Sequence, residues 1–354
     1  MIKRRSAMLA SVLALSIVAA ACGGDDADTG TASGGTASGV TTSGVTAPKL
    51  SGKINISGSS TVEPISQRVK ELFNDEQSAV EITVAGPGTG DGFKVFCAGE
   101  TDISNASRPI KDEEKALCTA AGVEFVELKV AFDGLTVVTN PKNTAVECLS
   151  KNDLYALIGP ESEGFKTWAA AQPLATELGS KIKMPEAALS ITAPGAESGT
   201  YDSFIDLVTE PVAKKRVEAG KLAKGQEKVI RKDYNPSGDD NVIVKNIEGT
   251  ANSLGWVGFA FAQEQASKIG TIAVDGGKGC VKASIETIAD GTYPLSRPLY
   301  IYVNTKKAAA NPALVGYVDY YLQAGYEAVS EVGYVPLPDA ELTKTAAAWK
   351  AVAG

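Results

Sequence analysis

From Leu50 onward the chain switches repeatedly between two hydrophobic periods. KINIS (Lys53 to Ser57) is apolar at every second position, which predicts a half-buried strand, whereas after Pro64 the residues Ile65, Val69, Leu72 and Phe73 recur at helical spacing. VEITVAG then reads as a strand, GDGFKVFCAGE as a short helix, and VEFVELKVAFDGLTVVTN (Val123 to Asn140) as an extended run longer than one ordinary strand. Further on, NDLYALIGP predicts a helix, ALSITAP a strand, YDSFIDLVTE a helix, SLGWVGFAF and RPLYIYVN two strands, and residues 312–352 a mainly helical end. Strand and helix signals alternating in this way predict an α/β fold. The long run and RPLYIYVN suit two crossings between lobes, with the C-terminal segment completing the first lobe. One large doubly wound domain is the alternative that periodicity leaves open.

Ahead of this pattern lies a different kind of sequence. Lys3, Arg4 and Arg5 precede an apolar stretch from Met8 to Val18, and Ala19-Ala20-Ala21 stand before Cys22. That order predicts an export signal over residues 1–21, too short for a comfortable membrane span. The same positions resemble a bacterial lipoprotein signal, which implies a lipidated Cys22 as the first mature residue and an anchor on the outer face of the cell membrane. Ala19 stands where the commonest pattern has Leu, and an ordinary secretory signal is the alternative. Residues 22–49 are mostly Gly, Ser, Thr and Ala, which cannot bury enough apolar area to fold. Such a linker reaches roughly 25 to 30 Å.

Composition narrows the chemistry. The 354 residues suit about two domains, and a net charge of -8 argues against a nucleic-acid partner. There is no histidine, which excludes Ser-His-Asp and Cys-His catalysis and histidine metal ligation. Beyond Cys22 the chain has Cys97, Cys118, Cys148 and Cys280, an even number in an exported protein. Two disulfides with three possible connectivities follow. Cys97 with Cys118 is favoured because the pair brackets and would brace the loop between them, which leaves Cys148 with Cys280.

Four stretches read as anion cradles: SGSSTVEP (Ser57 to Pro64), AGPGTGDGF (Ala85 to Phe93), DISNASRPI (Asp102 to Ile110) and PGAESGTYDSF (Pro194 to Phe204). Each is rich in Gly, Ser or Thr beside an apolar run. At least three stand where a strand gives way to a helix, so hydroxyls and backbone N–H groups converge at a helix N-terminus. Four such loops in an acidic chain predict a local site for a small oxyanion.

GSSTVEP, GPGTGDGF, DISNASRPIKDEE, ESGTYDSF, and DYNPSGDDNVIV with SLGWVGFAF follow one another in an order and spacing that resemble the phosphate-binding proteins of ABC uptake systems. The resemblance covers nearly all of residues 50–340. It implies a two-lobed periplasmic-binding-protein fold of type II, with residues 50–131 and 297–354 in one lobe, 132–296 in the other, and the ligand in the cleft between them. It also implies a monomer that passes inorganic phosphate to ABC permease subunits driven by a cytoplasmic ATPase, with no cofactor, metal or chemistry. Carried over by residue, Ser60, Thr61 and Val62 match the first loop, Thr89 the second, Ser107 and Arg108 the third, and Ser198, Gly199 and Thr200 the fourth. Arg108 stands where the best-known members have an aspartate, and Pro194 and Ala196 stand where they have an arginine and an aspartate before the SGT turn.

A buried dianion needs compensating charge, and a guanidinium fork matches two phosphate oxygens. Arg108 and Arg231 are the candidates, with Asp239, Asp240 and Asn241 as orienting, ligand-touching or helix-capping groups. Phosphate keeps a proton to donate where sulfate has none, so a carboxylate acceptor discriminates the two; Glu197, Asp202 and Asp240 are candidates. Sulfate or another tetrahedral oxyanion is the leading alternative ligand. A metal-dependent phosphatase is the enzymatic alternative, disfavoured by the lack of a convincing ligand set. GPGTGDGFK lacks the GK[ST] of a Walker loop and fails GxGxxG, and Ser198 has no conventional base.

Overall fold

The computed structural model describes residues 49–353 apart from Glu197. The predicted export signal, Cys22, the predicted linker up to residue 48 and Glu197 lie outside the described residues. Among the described residues, eleven strands form one mixed sheet: β1 (Gly52–Gly58), β2 (Val80–Ala85), β3 (Ile103–Ala106), β4 (Phe125–Thr139), β5 (Cys148–Ser150), β6 (Ser190–Pro194), β7 (Asn235–Ser237), β8 (Ser253–Gly258), β9 (Gly270–Asp275), β10 (Cys280–Val281) and β11 (Ser296–Asn304).

The sheet has two halves joined by β4. In the first half the order is β2-β1-β3-β11-β4, with β1 parallel to β2 and β3, and β11 antiparallel to β3 and β4. β4 is buried without interruption from Val130 to Thr139, as expected of a strand covered on both faces. Its first part pairs β11 from Phe125 to Gly134, and its second part pairs β8 and β9. Thus β4 runs through both halves, while β11 pairs β3 and the first part of β4. Phe132 and Val335 exchange backbone hydrogen bonds of 2.8 and 3.0 Å. Among the described residues no helix is long and apolar enough to cross a membrane.

Each half has its own core. Ile54 and Ile56 of β1 pack with Val62, Ile65 and Val69 beneath helix α1 (Glu63–Glu76), and Tyr317 and Trp349 from the C-terminal helices complete that core. The other half buries Leu154, Trp168, Phe204, Val208, Trp256 and Ile272, with the Phe204 and Trp256 rings stacked at 4.0 Å. Burial of each such side chain stabilises by about 1.5–3 kcal/mol. Two disulfides, Cys97–Cys118 and Cys148–Cys280, match the favoured pairing. The first ties helix α2 (Thr89–Cys97) to helix α3 (Asp112–Ala120), and the second ties the start of β5 to β10.

Three predicted elements need correction. SLGWVGFAF is a strand only to Gly258; Phe259 to Glu264 turn into a helix that buries Phe259 and Ala262, three positions apart. YDSFIDLVTE is helical but contains a π-helical turn at Ile205–Thr209 between helices Gly199–Phe204 and Glu210–Glu218. The third loop contains a central strand, β3, whose four residues are all buried. Asn105 Oδ1 accepts from Ser66 Oγ at 3.0 Å, whereas Asn105 Nδ2 and Ser104 Oγ are buried without a hydrogen-bond partner among the described residues.

Candidate functional site

The first loop leaves β1 at Gly58, a residue with φ of +147° that leaves no room for a side chain: a Cβ there would lie 2.1 Å from the Asn105 carbonyl oxygen. Helix α2 rides directly on this point, since a Cβ at Gly92 would lie 2.4 Å from the Gly58 Cα. The Gly88 N–H donates to the Gly58 carbonyl at 2.8 Å, which sets the second loop beside the first. Thr89 Oγ1 accepts from the Ser107 N–H at 3.1 Å and lies 3.1 Å from Ser107 Oγ, so the third loop joins the same wall. From the opposite lobe, the start of helix Gly199–Phe204 abuts the first loop; a Cβ at Gly199 would lie 3.3 Å from the Ser60 carbonyl oxygen and 3.5 Å from the Thr61 Cα.

Together these loops enclose a cleft of about 820 Å³. Of the predicted site residues, Ser60, Thr61, Thr89, Ser107 and Arg108 line it. Six basic side chains (Lys94, Arg108, Lys111, Lys214, Lys228, Arg297) and four acidic ones (Asp91, Asp202, Asp206, Glu210) share the wall, a local positive excess in a chain of net charge -8. The π-helical turn presents Ile205 and Asp206 to the cleft, between Asp202 before it and Glu210 after it. Burial pulls the Lys228 ammonium down, but the nearby Asp206 and Glu210 carboxylates raise it to a net value above the ordinary lysine range.

Arg108 forms a bidentate pair with Glu114 of α3, at 2.8 and 2.7 Å, and its guanidinium sits 5.6 Å from the Phe93 ring centroid. The bonds to Glu114 hold its pKa above the ordinary arginine value against the opposing effect of burial. For Glu114, burial acts upward, and hydrogen bonds from Arg108 and the Lys111 N–H outweigh it, leaving the carboxyl below its usual range.

Other predicted residues lie outside the cleft wall. Val62 is fully buried and its N–H donates to the Ser59 carbonyl at 3.2 Å. Ser198 caps its helix by accepting from the Thr200 N–H at 3.2 Å. Arg231 is a correction: it is buried, and its fork donates to Asp233 at 2.7 and 2.9 Å, Leu157 O at 3.2 Å and Phe165 O at 2.7 Å. A buried guanidinium whose donors are already spent inside one lobe is a structural group. Asn241 is likewise occupied, because Asp239 Oδ1 caps helix Asp240–Gly249 by accepting from the Asn241 N–H and Nδ2 at 2.9 and 3.1 Å. Asp240 also lies off the cleft wall, whereas Asp202 is on it and accepts from Ser60 Oγ at 2.7 Å.

Sequence reasoning missed Arg297. It stands opposite Asp133 in the register of β11 and β4, and its Nε donates to Asp133 Oδ2 at 3.2 Å. Nη1 donates to Asp206 Oδ2 at 3.0 Å, and Nη2 donates to Thr61 Oγ1 at 3.0 Å and Ser203 Oγ at 2.8 Å. Ser203 Oγ in turn donates to Asp133 Oδ2 at 2.6 Å. The available signal was Asp133 itself, a carboxylate inside an apolar run, which requires a cationic partner when buried. Among the described residues no three His, Cys, Asp or Glu side chains are grouped to hold a metal ion.

Comparison with known proteins agrees with this geometry. Residues 33–324 match the family model of the PBP superfamily domain. Protein SphX of Synechocystis is 39% identical over 291 residues, covering 82% of this chain and 80% of the relative. The phosphate-binding protein PstS of Staphylococcus saprophyticus is 32% identical over 337 residues, covering 94% of this chain and 90% of the relative. The crystal structure of a possible phosphate binding protein from Planctomyces limnophilus superposes with a TM-score of 0.75 at 34% identity, over 86% of this chain and 100% of that one. The chain therefore belongs to the PBP superfamily, in the family of phosphate-binding substrate-binding proteins.

Proposed function

We propose that this protein captures inorganic phosphate outside the cytoplasm and delivers it to an ABC permease, by closing its lobes on the anion and without chemistry. The observation that carries this reading is the convergence of four Gly/Ser/Thr loops, far apart in sequence, on one cleft with a local excess of basic side chains. Ser60, Thr61, Thr89 and Ser107 supply hydroxyls to the ligand and Arg108 supplies charge, while the Ser198–Thr200 turn approaches from the second lobe. Residues 50–131 with 297–354 move against 132–296, and closure is favoured because only the closed form satisfies all the phosphate oxygens. Of the carboxylates that stand as proton acceptors, Asp202 is supported by its place on the wall. Lipidation at Cys22 and the linker over 22–49 hold the body near its permease as a monomer. The curated PstS relative supports the ligand by its name, and the local charge supports it by physics.

Calorimetry of the purified protein with phosphate and then sulfate tests the reading. Saturable one-to-one phosphate binding with sulfate ignored is expected. Equal binding of sulfate would assign the site to tetrahedral oxyanions in general, and silence toward both would defeat the proposal.

A further inference from the structure

The six basic side chains on the cleft wall differ in how firmly they are placed. Lys94, Lys214 and Lys228 keep 72%, 59% and 65% of their side-chain surface exposed, so water and salt screen them. The fork of Arg108 is already matched by both oxygens of Glu114. Arg297 is only 10% exposed and is fixed from behind by Asp133, itself 5% exposed. A guanidinium held in a desolvated position acts on an anion through a lower effective dielectric than an exposed ammonium does. Its outer edge, Nη1 and Nη2, meets Asp206 and Thr61, and both of those residues face the cleft.

We propose that Arg297 is the buried cation that holds the phosphate dianion, with Asp133 as its positioning residue. The assignment rests on the phosphate reading above and names the group that supplies its charge. A phosphate oxygen takes over the Nη1 donor now given to Asp206, while Nε stays on Asp133. Because the same fork touches Thr61 of the first loop and Ser203 and Asp206 of the opposite lobe, an anion seated there draws on both sides of the cleft.

Two measurements on the full chain test this. In the unsubstituted protein, the Arg297 side-chain N–H resonances, assigned by their loss in Arg297→Lys, are followed by NMR during addition of inorganic phosphate. Calorimetry then compares Arg297→Lys and Arg297→Gln with the unsubstituted chain. The expected results are a clear shift of the Arg297 signals and a loss of phosphate affinity of roughly 10- to 100-fold in Arg297→Lys, the size of a lost charge-assisted pair. A purely structural arginine would lower the melting temperature of the variants yet leave its own resonances in place when phosphate saturates the unsubstituted protein; that result overturns the assignment. Unchanged affinity in both variants overturns it equally. A chain that takes up no phosphate before any substitution overturns the phosphate reading itself, and this assignment with it.

Discussion

Ser60 Oγ donates to Asp202 Oδ2 at 2.7 Å, a bond between the first loop and the opposite lobe that joins residues 142 positions apart. It places a carboxylate on the cleft wall, the acceptor that the phosphate proposal assigns to a protonated oxyanion. A fully deprotonated sulfate would instead meet an unrewarded negative charge.

Asp202→Asn is therefore expected to narrow the preference for phosphate over sulfate by roughly tenfold or more, the size of one charge-assisted hydrogen bond. Calorimetry with both anions at neutral pH checks this. An unchanged ratio would mean that another group reads the proton.

Arg108 and Glu114 give a second expectation. Arg108→Ala removes a cation from the wall and should weaken phosphate binding by about tenfold at low salt, with a smaller loss at high salt as screening grows. The pair also predicts a pH effect on stability. Because the folded Glu114 carboxyl lies below its ordinary value, its contribution is present above the unfolded glutamate pKa of about 4.3 and is lost as pH falls through the lower folded value. Partial exposure limits the size of this effect. Glu114→Gln should therefore flatten the acid limb of the denaturation curve while changing stability little at low pH.

Much of the fold was legible because its elements keep strict periods. The alternation in β1, the helical stripe of α1, and the long apolar run of β4 each matched their burial. β3 was missed because Ser104 and Asn105 look like loop residues, and nothing local in sequence shows that Ser66 on α1 donates to Asn105 Oδ1 inside. The strand at SLGWVGFAF was drawn too long because Phe259 continues an apolar run that serves a helix equally well. At the site, the Gly/Ser/Thr loops announced themselves, whereas the charges did so only in part: Arg108 and Asp202 were candidates and lie on the wall, but Arg231 does not and Arg297 was missed. Arg231 lies close in sequence to the DYNPSGDDN loop, but Asp233 two residues on takes its fork. Arg297 opens a strand, and nothing local in sequence shows that Asp133, 164 positions away, fixes its direction.

The two disulfides should separate in their effects. In the chain-entropy picture, closing a loop with a sequence separation of 132 stabilises more than closing one of 21, by about 1.6 kcal/mol. Replacing Cys148 and Cys280 with Ser should thus cost more stability, measured by urea unfolding, and leave phosphate affinity intact. Replacing Cys97 and Cys118 should cost less stability but reduce affinity, since α2 begins at Thr89 and α3 carries Glu114.

The contact between Gly58 and Gly92 gives the last prediction. A methyl group at Gly92 would meet the Gly58 Cα at 2.4 Å and Ser104 Oγ at 3.1 Å, and the backbone of β1 is buried in the sheet and has nowhere to retreat. Gly92→Ala must therefore lift α2 away from β1, at a cost of about 1–3 kcal/mol typical of overpacking. Because Thr89 opens the same helix, phosphate affinity should fall with stability. Gly90→Ala is the internal control. Its added methyl would have Arg108 Nη2 as nearest neighbour, at 3.9 Å, an ordinary contact. Urea unfolding and calorimetry on both variants decide the point: loss of stability and affinity in Gly92→Ala with near-normal stability in Gly90→Ala is expected. Equal stability in the two would show that α2 does not depend on that glycine contact for its place.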